Sequence, residues 1–440
     1  MEIYHNKQIL TKMLDGTGKQ INPFTGMEVW TIPGRNRKPI YNSIKIEPKP
    51  VDSKKIENYC NFCATNYKNT PPEKARLVKM QHGSSYELCL HAKTSRIFSE
   101  LADFRRIPNL FEIVTFDYWR RNYDYKLSDS NNIWKSQYLS TKEGKEHVLN
   151  VVDLKLKISG VTSVSEEKKI FMSDAFFGGG HELIVANRHF NTKAKTTIDL
   201  CSSGELTSLE HFNYFSFTIK AMKDIYEQNR YIRYISVFQN WLKDAGASFD
   251  HLHKQLVALD EWGASVEKEL ELAKHNSNMY NELAANFAIY NNLVLAENNY
   301  AIAFVDIGHM YPSIAIYSKS NHLRPEEHNK TELKGISDVV HAIHAATKNS
   351  IACNEEWYYT PRDSIIPMPW HILIKWRVNT PAGFEGGTKI FINPIAPIDF
   401  RDIIVPRLYD LKEENRIDQN VKIYDESPMR VNCLKYGGKI

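Results

Sequence analysis

The chain has 440 residues, 42% hydrophobic and 25% charged, which is enough apolar content to bury a substantial core in one large domain or two. A formal net charge of +4 is small for this length and no long basic block is present, so composition argues against a dedicated nucleic-acid protein. Met1 to Lys12 lacks the pattern of a signal peptide and no stretch approaches the roughly 18 to 20 apolar residues of a membrane span, so a soluble, cytoplasmic protein is expected.

In chain order, residues 15 to 60 are rich in Gly, Pro, Asn and Lys with short apolar bursts, and read as an arm of strands joined by turns. The polar segment at about 119 to 175 reads as an insertion with hairpins of its own. Glu182 to Ala186 is a short strand. Leu209, Phe212, Phe215, Ile219, Met222 and Tyr226 recur at helical spacing, and Tyr231 to Gln239 is strand-like. A turn at Asp244-Ala-Gly246 leads to a strand over Ser248 to Leu259. A helical stretch, Ser265 to about Tyr290, precedes strands at Leu293 to Ala296, Ala301 to Val305 and Ile314 to Tyr317, then a helix (Thr331 to Thr347) and a strand (Trp370 to Arg377). The recurring order of strand, helix and strand suggests a duplicated α+β unit, with halves at 1–262 and 263–440.

The most informative segment is Asn240 to Gln255. On a strand, His251, His253 and Gln255 share one face while Leu252 and Lys254 share the other. Such a face is either a solvated surface with incidental histidines or a site. Chemically, a neutral imidazole attacks phosphorus without prior deprotonation when its other nitrogen is held by an acceptor. The Gln255 and Asn240 amides and the Ser248 hydroxyl are donors suited to non-bridging phosphate oxygens. Of the six cysteines, only Cys60 and Cys63 are closely spaced; they supply half of a tetrahedral zinc site, and a redox pair or coincidence stays open from spacing alone. His189 and His251 would complete the set.

Gly246-Ala-Ser-x-x-His251-x-His253-x-Gln255, with Phe238-Gln-Asn240 before it, resembles the active-site strand of the galactose-1-phosphate uridylyltransferase family. That family is a branch of the histidine triad superfamily that also holds nucleotide-sugar and dinucleoside polyphosphate phosphorylases. Further segments agree in the same order: Asn22-Pro-Phe-Thr-Gly26 with Arg35-Asn-Arg-Lys38-Pro39, Cys60/Cys63, Ile107-Pro-Asn109-Leu-Phe111, His181 to His189, and Ala382-Gly-Phe384-Glu385-Gly-Gly-Thr388. The resemblance implies an α+β fold of duplicated histidine-triad-like halves, each an antiparallel sheet with packed helices. It implies His253 as nucleophile, Gln255, Ser248 and Asn240 as phosphate contacts, and Arg35 and Lys38 near the nucleotide phosphates. Asn109 and Phe111 would hold the nucleoside. Cys60, Cys63, His189 and His251 would bind structural zinc, and Phe384-Glu385 would reach the substrate of a neighbouring subunit in a homodimer.

Two departures stand out. His-Leu-His-Lys-Gln replaces the family's His-Pro-His-Gly-Gln, so Lys254 puts a cation where glycine is usual and speaks against galactose as the default sugar. Only His371 occupies the place of a second His-x-His pair, and no second metal is expected there. His341 and His344 read as a partly buried or surface helix pair, Gly178-Gly-Gly180 as a flexible turn, and Trp357-Tyr358-Tyr359 as core.

The expected activity is transfer of a nucleoside monophosphate, through a covalent NMP-His253 intermediate, from a nucleotide sugar or related nucleoside diphosphate to a sugar 1-phosphate or phosphate acceptor. Phosphate as acceptor would make a phosphorylase. A zinc-stabilised nucleic-acid-binding module is the alternative of another class; the near-neutral charge speaks against it, and neither nucleic acid nor membrane is expected as a partner.

Overall fold

The computed structural model describes residues 8–35, 47–52, 56–80, 85–161 and 163–437. The strands β1 (Leu10–Lys12), β2 (Gly18–Ile21) and β3 (Glu28–Thr31) come first. They are followed by β4 (Ala75–Lys79), β5 (Tyr86–Leu90), α1 (Thr94–Ile97) and β6 (Phe104–Pro108). Five helices come next: α2 (Phe116–Tyr123), α3 (Asp129–Leu139), α4 (Lys142–Ile158), α5 (Glu166–Met172) and α6 (Asp174–Gly178). The first half closes with β7 (His181–Ala186), α7 (Ser208–Gln228), β8 (Tyr234–Trp241) and β9 (His253–Leu259).

The second half opens with α8 (Ala264–His275), a π-helical turn (Asn281–Ala285) and α9 (Asn286–Tyr290). Then come β10 (Val294–Glu297), β11 (Ala301–Asp306), β12 (Ser313–Ser318), α10 (Lys330–Thr347), β13 (Cys353–Tyr358) and β14 (His371–Trp376). It ends with α11 (Gly383–Thr388), β15 (Ile390–Ile392), α12 (Pro397–Glu413) and β16 (Lys422–Ile423).

Twelve strands form one sheet in the order β16-β10-β11-β12-β14-β13-β8-β9-β7-β6-β4-β5, every neighbour antiparallel. Its halves repeat one plan. The run β7, α7, β8, β9 on one side of the β8–β13 junction matches β12, α10, β13, β14 on the other, so the duplicated α+β expectation holds. The periodicity of α7 and α10 gave their positions, and reciprocal caps start both: Thr207 with Glu210, and Asn329 with Glu332. Helix α10 lies between α7 and α12 on one face of the sheet, where Phe215, Met222, Val339, Ile343, Ile404 and Leu408 are buried.

The expected arm, β1 to β3, joins β15 in a second sheet and packs on the C-terminal half: Asn22 Nδ2 donates to the Ile307 carbonyl at 3.0 Å, and Phe24 stacks on Tyr280. The insertion is helical, not hairpins. Ser128, Thr141 and Ser165 cap the first turns of α3, α4 and α5, and Val148, Val151, Val152 and Leu156 present one helical face to Trp134, Tyr138, Phe176 and Phe177. The long helix expected at 265–290 breaks at Asn276-Ser-Asn278, where Asn side chains bond to local groups instead of continuing the helix.

The glycine triplet is a close-packed approach, not a flexible turn. A Cβ on Gly178 would stand 2.3 Å from Leu127, and one on Gly179 would stand 2.4 Å from the Glu112 carboxylate.

Candidate active site and metal centre

Strand β9 begins at His253, so His251 lies in the loop just ahead of it and not within the strand as expected. This loop turns at Gly246, which adopts φ +87°, a conformation suited to glycine. The register sets the active face: Gln255 lies opposite Phe238 on β8 and Leu183 on β7, and His253 lies opposite Val185.

Four predicted ligands converge. The sulfurs of Cys60 and Cys63 are 3.8 Å apart, the two histidine Nδ1 atoms 3.2 Å apart, and the four sulfur–nitrogen separations run from 3.4 to 3.9 Å. A tetrahedral zinc with Zn–S of about 2.3 Å and Zn–N of about 2.0 Å has edges of about 3.8, 3.3 and 3.5 Å for S–S, N–N and S–N. The donors therefore fit such an ion with little movement. His251 Nε2–H donates to the Ala186 carbonyl at 2.6 Å, which leaves Nδ1 with its lone pair turned to the thiols. Burial keeps that imidazole neutral. A hydrogen bond from Cys60 pushes the Cys63 thiol down and holds the Cys60 thiol up; one proton is thus held between two sulfurs that a divalent cation would ionise together.

His253 is 4% exposed. Its Nδ1–H donates to the His251 carbonyl at 2.7 Å, so the lone pair is on Nε2, and burial pushes its basicity down to about 4. The edge of Phe62, between the two cysteines, packs on this ring at 5.2 Å. Asn240 Oδ1 accepts from Asn354 Nδ2 at 2.7 Å, which leaves its NH2 on the side of Gly246. Ser248 is exposed in the same loop. Asn109 follows β6, with its Oδ1 accepting from the Phe111 backbone at 2.9 Å, and the Phe111 ring is exposed.

Arg35 is exposed in the turn after β3, and Lys38 lies outside the described residues. Phe384 and Glu385 stand on α11. The Glu385 carboxylate accepts from the Ala382 backbone at 2.9 Å, capping its own helix.

A family described as "Domain of unknown function (DUF4921)" matches residues 13–436. The chain belongs to this family. An ADP-glucose phosphorylase of Arabidopsis thaliana is 27% identical over 185 residues, 40% of this chain and 53% of that protein, so the chain spans about half the length of the curated relative it matches. A crystal structure of an ADP-glucose phosphorylase from Arabidopsis thaliana with bound ADP-glucose is similar with a TM-score of 0.55 and 17% identity, over 88% of this chain and 98% of that one. A GALT-like protein of Arabidopsis thaliana gives 0.52 and 17%, over 79% and 92%. The fold is theirs. No helix among the described residues is long and apolar enough to cross a membrane.

The second half repeats the plan. His371 begins β14 as His253 begins β9, and its Nδ1–H donates to the Pro369 carbonyl two residues back at 2.9 Å. Its ring is clasped between Tyr317 at 4.5 Å and Tyr358 at 5.3 Å, nearly parallel to both. Lys254, expected on the strand face opposite His253 and Gln255, lies there. Alternation along β9 turns it to the helix-covered face, where its ammonium pairs with Glu355. His341 and His344 are both buried there, His341 on the Leu206 carbonyl and His344 on Glu355, rather than half exposed.

One participant went unread in the sequence. His181 starts β7 on the active face and lies 3.0 Å from both Gln255 and Asn109. Its signal was alternation: it is two residues before Leu183, which faces Gln255.

Proposed function

We propose that the protein is a nucleotidyltransferase that moves a nucleoside monophosphate through His253, from a nucleotide sugar to a phosphate-bearing acceptor. The observation that carries this reading is the state of that ring: neutral, with Nδ1–H spent on the His251 carbonyl and Nε2 carrying the lone pair. In the first step the Nε2 lone pair attacks the α-phosphorus, and the bond to the bridging oxygen breaks with its electron pair leaving on the sugar phosphate. An acceptor phosphate oxygen then attacks, and the P–N electron pair returns to Nε2. The His251 carbonyl stabilises the charge on the ring in between. Gln255, Asn240 and Ser248 offer donors to the non-bridging oxygens. Asn109 and Phe111 take the nucleoside, and Arg35 and Lys38 approach the phosphates.

Zinc is the ion proposed for Cys60, Cys63, His189 and His251, in a structural role that fixes Phe62 and the His251–His253 turn. The division at 262/263 then separates a catalytic half from a supporting one. A homodimer would bring Phe384 and Glu385 to a neighbour's substrate, and the cytoplasm is the proposed compartment.

With inorganic phosphate as acceptor the same chemistry is phosphorolysis. The likeness to an ADP-glucose phosphorylase favours that second reading. Intact-protein mass after incubation with ADP-, UDP-, GDP- and CDP-sugars tests both. An acid-labile gain of one NMP, absent in His253→Ala, is expected; adding phosphate or a sugar 1-phosphate should discharge it and identify the acceptor. A wild-type protein that no donor labels would refute the covalent route.

A further inference from the structure

His181 is 1% exposed, and its ring has three polar neighbours. Nδ1 lies 3.0 Å from the Ile113 backbone nitrogen, and Nε2 lies 3.0 Å from Gln255 Oε1 and 3.0 Å from Asn109 Nδ2. A backbone N–H only donates, so Nδ1 holds the lone pair and the ring hydrogen is on Nε2. Nε2–H therefore donates to Gln255 Oε1. Asn109 Nδ2 finds no lone pair there, and its hydrogens remain for a ligand.

That tautomer decides which way the Gln255 amide faces. With Oε1 held by His181, the NH2 group is directed away from β7 and offers hydrogen bonds to an anion on His253. A flipped amide would set its hydrogens against His181 and its carbonyl oxygen against the phosphate, exchanging attraction for repulsion at the transferred group. The same ring is stitched to the loop that follows β6. Asn109 N–H donates to the His181 carbonyl at 2.8 Å, Ile113 N–H to Nδ1, and Phe111 N–H to Asn109 Oδ1 at 2.9 Å. Burial pushes the His181 imidazole down to about 4, so the arrangement persists across the neutral range.

We propose that His181 is a positioning residue for the nucleotidyl transfer: it locks the Gln255 amide with its donors toward the phosphate and couples that amide to the nucleoside-binding loop through Ile113. The proposal rests on the reading of His253 as nucleophile.

Single-turnover labelling of His253 by ADP-glucose and by UDP-glucose, with AMP and UMP affinities from calorimetry, tests it. His181→Leu should slow adduct formation about 10²-fold, the scale of one misdirected donor, while nucleotide affinity changes less than about threefold. His181→Gln places an amide nitrogen near the position of Nε2 and should recover most of the rate. The double variant His181→Leu/Gln255→Ala should react no more slowly than Gln255→Ala, because both remove one device. A His181→Leu protein as fast as wild type, or defects that multiply in the double variant, would overturn the proposal.

Proton–nitrogen spectra of histidine-labelled wild type report the tautomer without substrate, and without any variant that has to fold. A His181 ring protonated on Nε2 alone between pH 6 and 8 is expected; one protonated on Nδ1 overturns the clamp. If no sugar of the ADP-, UDP-, GDP- and CDP- panel labels wild type, the catalytic reading falls on its own, and the spectrum still decides whether the clamp exists.

Discussion

The Lys254 ammonium and the Glu355 carboxylate, both fully buried, form an ion pair across the junction of the two halves, β9 contributing one charge and β13 the other. Tyr214 and Trp357 present their ring faces to the ammonium at 5.4 and 5.3 Å, and His344 and the Trp357 indole N–H share the carboxylate. Burial alone would push the carboxyl up; the lysine charge and the His344 bond outweigh it and hold it ionised. Removing one partner leaves the other charge buried without compensation. Lys254→Met and Glu355→Gln should each cost about 3–5 kcal/mol in denaturant unfolding, and the double variant less than their sum. Because Lys254 faces the helices, folded Lys254→Met should keep the wild-type order of preference among nucleotide-sugar donors. A changed preference would place Lys254 at the substrate after all.

The close approach at Gly179 gives a second outcome. Its added Cβ would meet both the Glu112 carboxylate at 2.4 Å and the Ala175 carbonyl at 2.6 Å, whereas a Cβ on Gly386 meets nothing within 4 Å. Gly179→Ala should destabilise by about 1–3 kcal/mol or more, and Gly386→Ala should be neutral or slightly stabilising. Equal effects at the two positions would contradict the packing described.

For the metal centre, plasma mass spectrometry should find about one zinc per wild-type chain and almost none in Cys63→Ser or His189→Ala, with a lower thermal midpoint in both. Cys89→Ser, outside the cluster, should match wild type. A metal-free wild type with an unchanged midpoint would remove the zinc proposal.

Glu269 carries a pH prediction. Burial pushes its carboxyl up to about 8 in the folded chain, against 4.5 when unfolded, and the Tyr280 hydroxyl at 3.2 Å offsets that only in part. Between these values the folded state holds the extra proton, so stability declines as pH rises from about 4.5 and levels off above 8. Glu269→Gln should match wild type near pH 4 and exceed it by roughly 2–4 kcal/mol at pH 8 to 9. Parallel unfolding curves for the two proteins across that range would count against the assignment.

How legible the molecule was follows the reach of each interaction. Helices α7 and α10 were readable because the apolar spacing and the capping residues are local. The turn at Gly246 and the approach to His253 were readable for the same reason. Strands β4 and β6 were not, since Arg76, Arg105 and Arg106 look like surface residues until Glu73 and Glu182 are brought against them. Strand β13 was hidden by adjacent glutamates; Glu355 is buried because of a lysine 101 residues away. The insertion misled because α3 spreads Trp134 and Tyr138 among polar side chains, although the caps at Ser128, Thr141 and Ser165 were in plain view. Motif order carried the metal ligands, whose convergence depends on loops from three separate parts of the chain.

The pairing of β8 with β13 makes the duplication a one-way step. Severed after residue 262, the first copy would carry a raw strand edge along β8 and an orphaned ammonium beneath it, and the second would lose the partner of its own central strand. The copy whose histidine is clasped by tyrosines is therefore held in the molecule by its central strand: it is the wall against which the other copy keeps its shape.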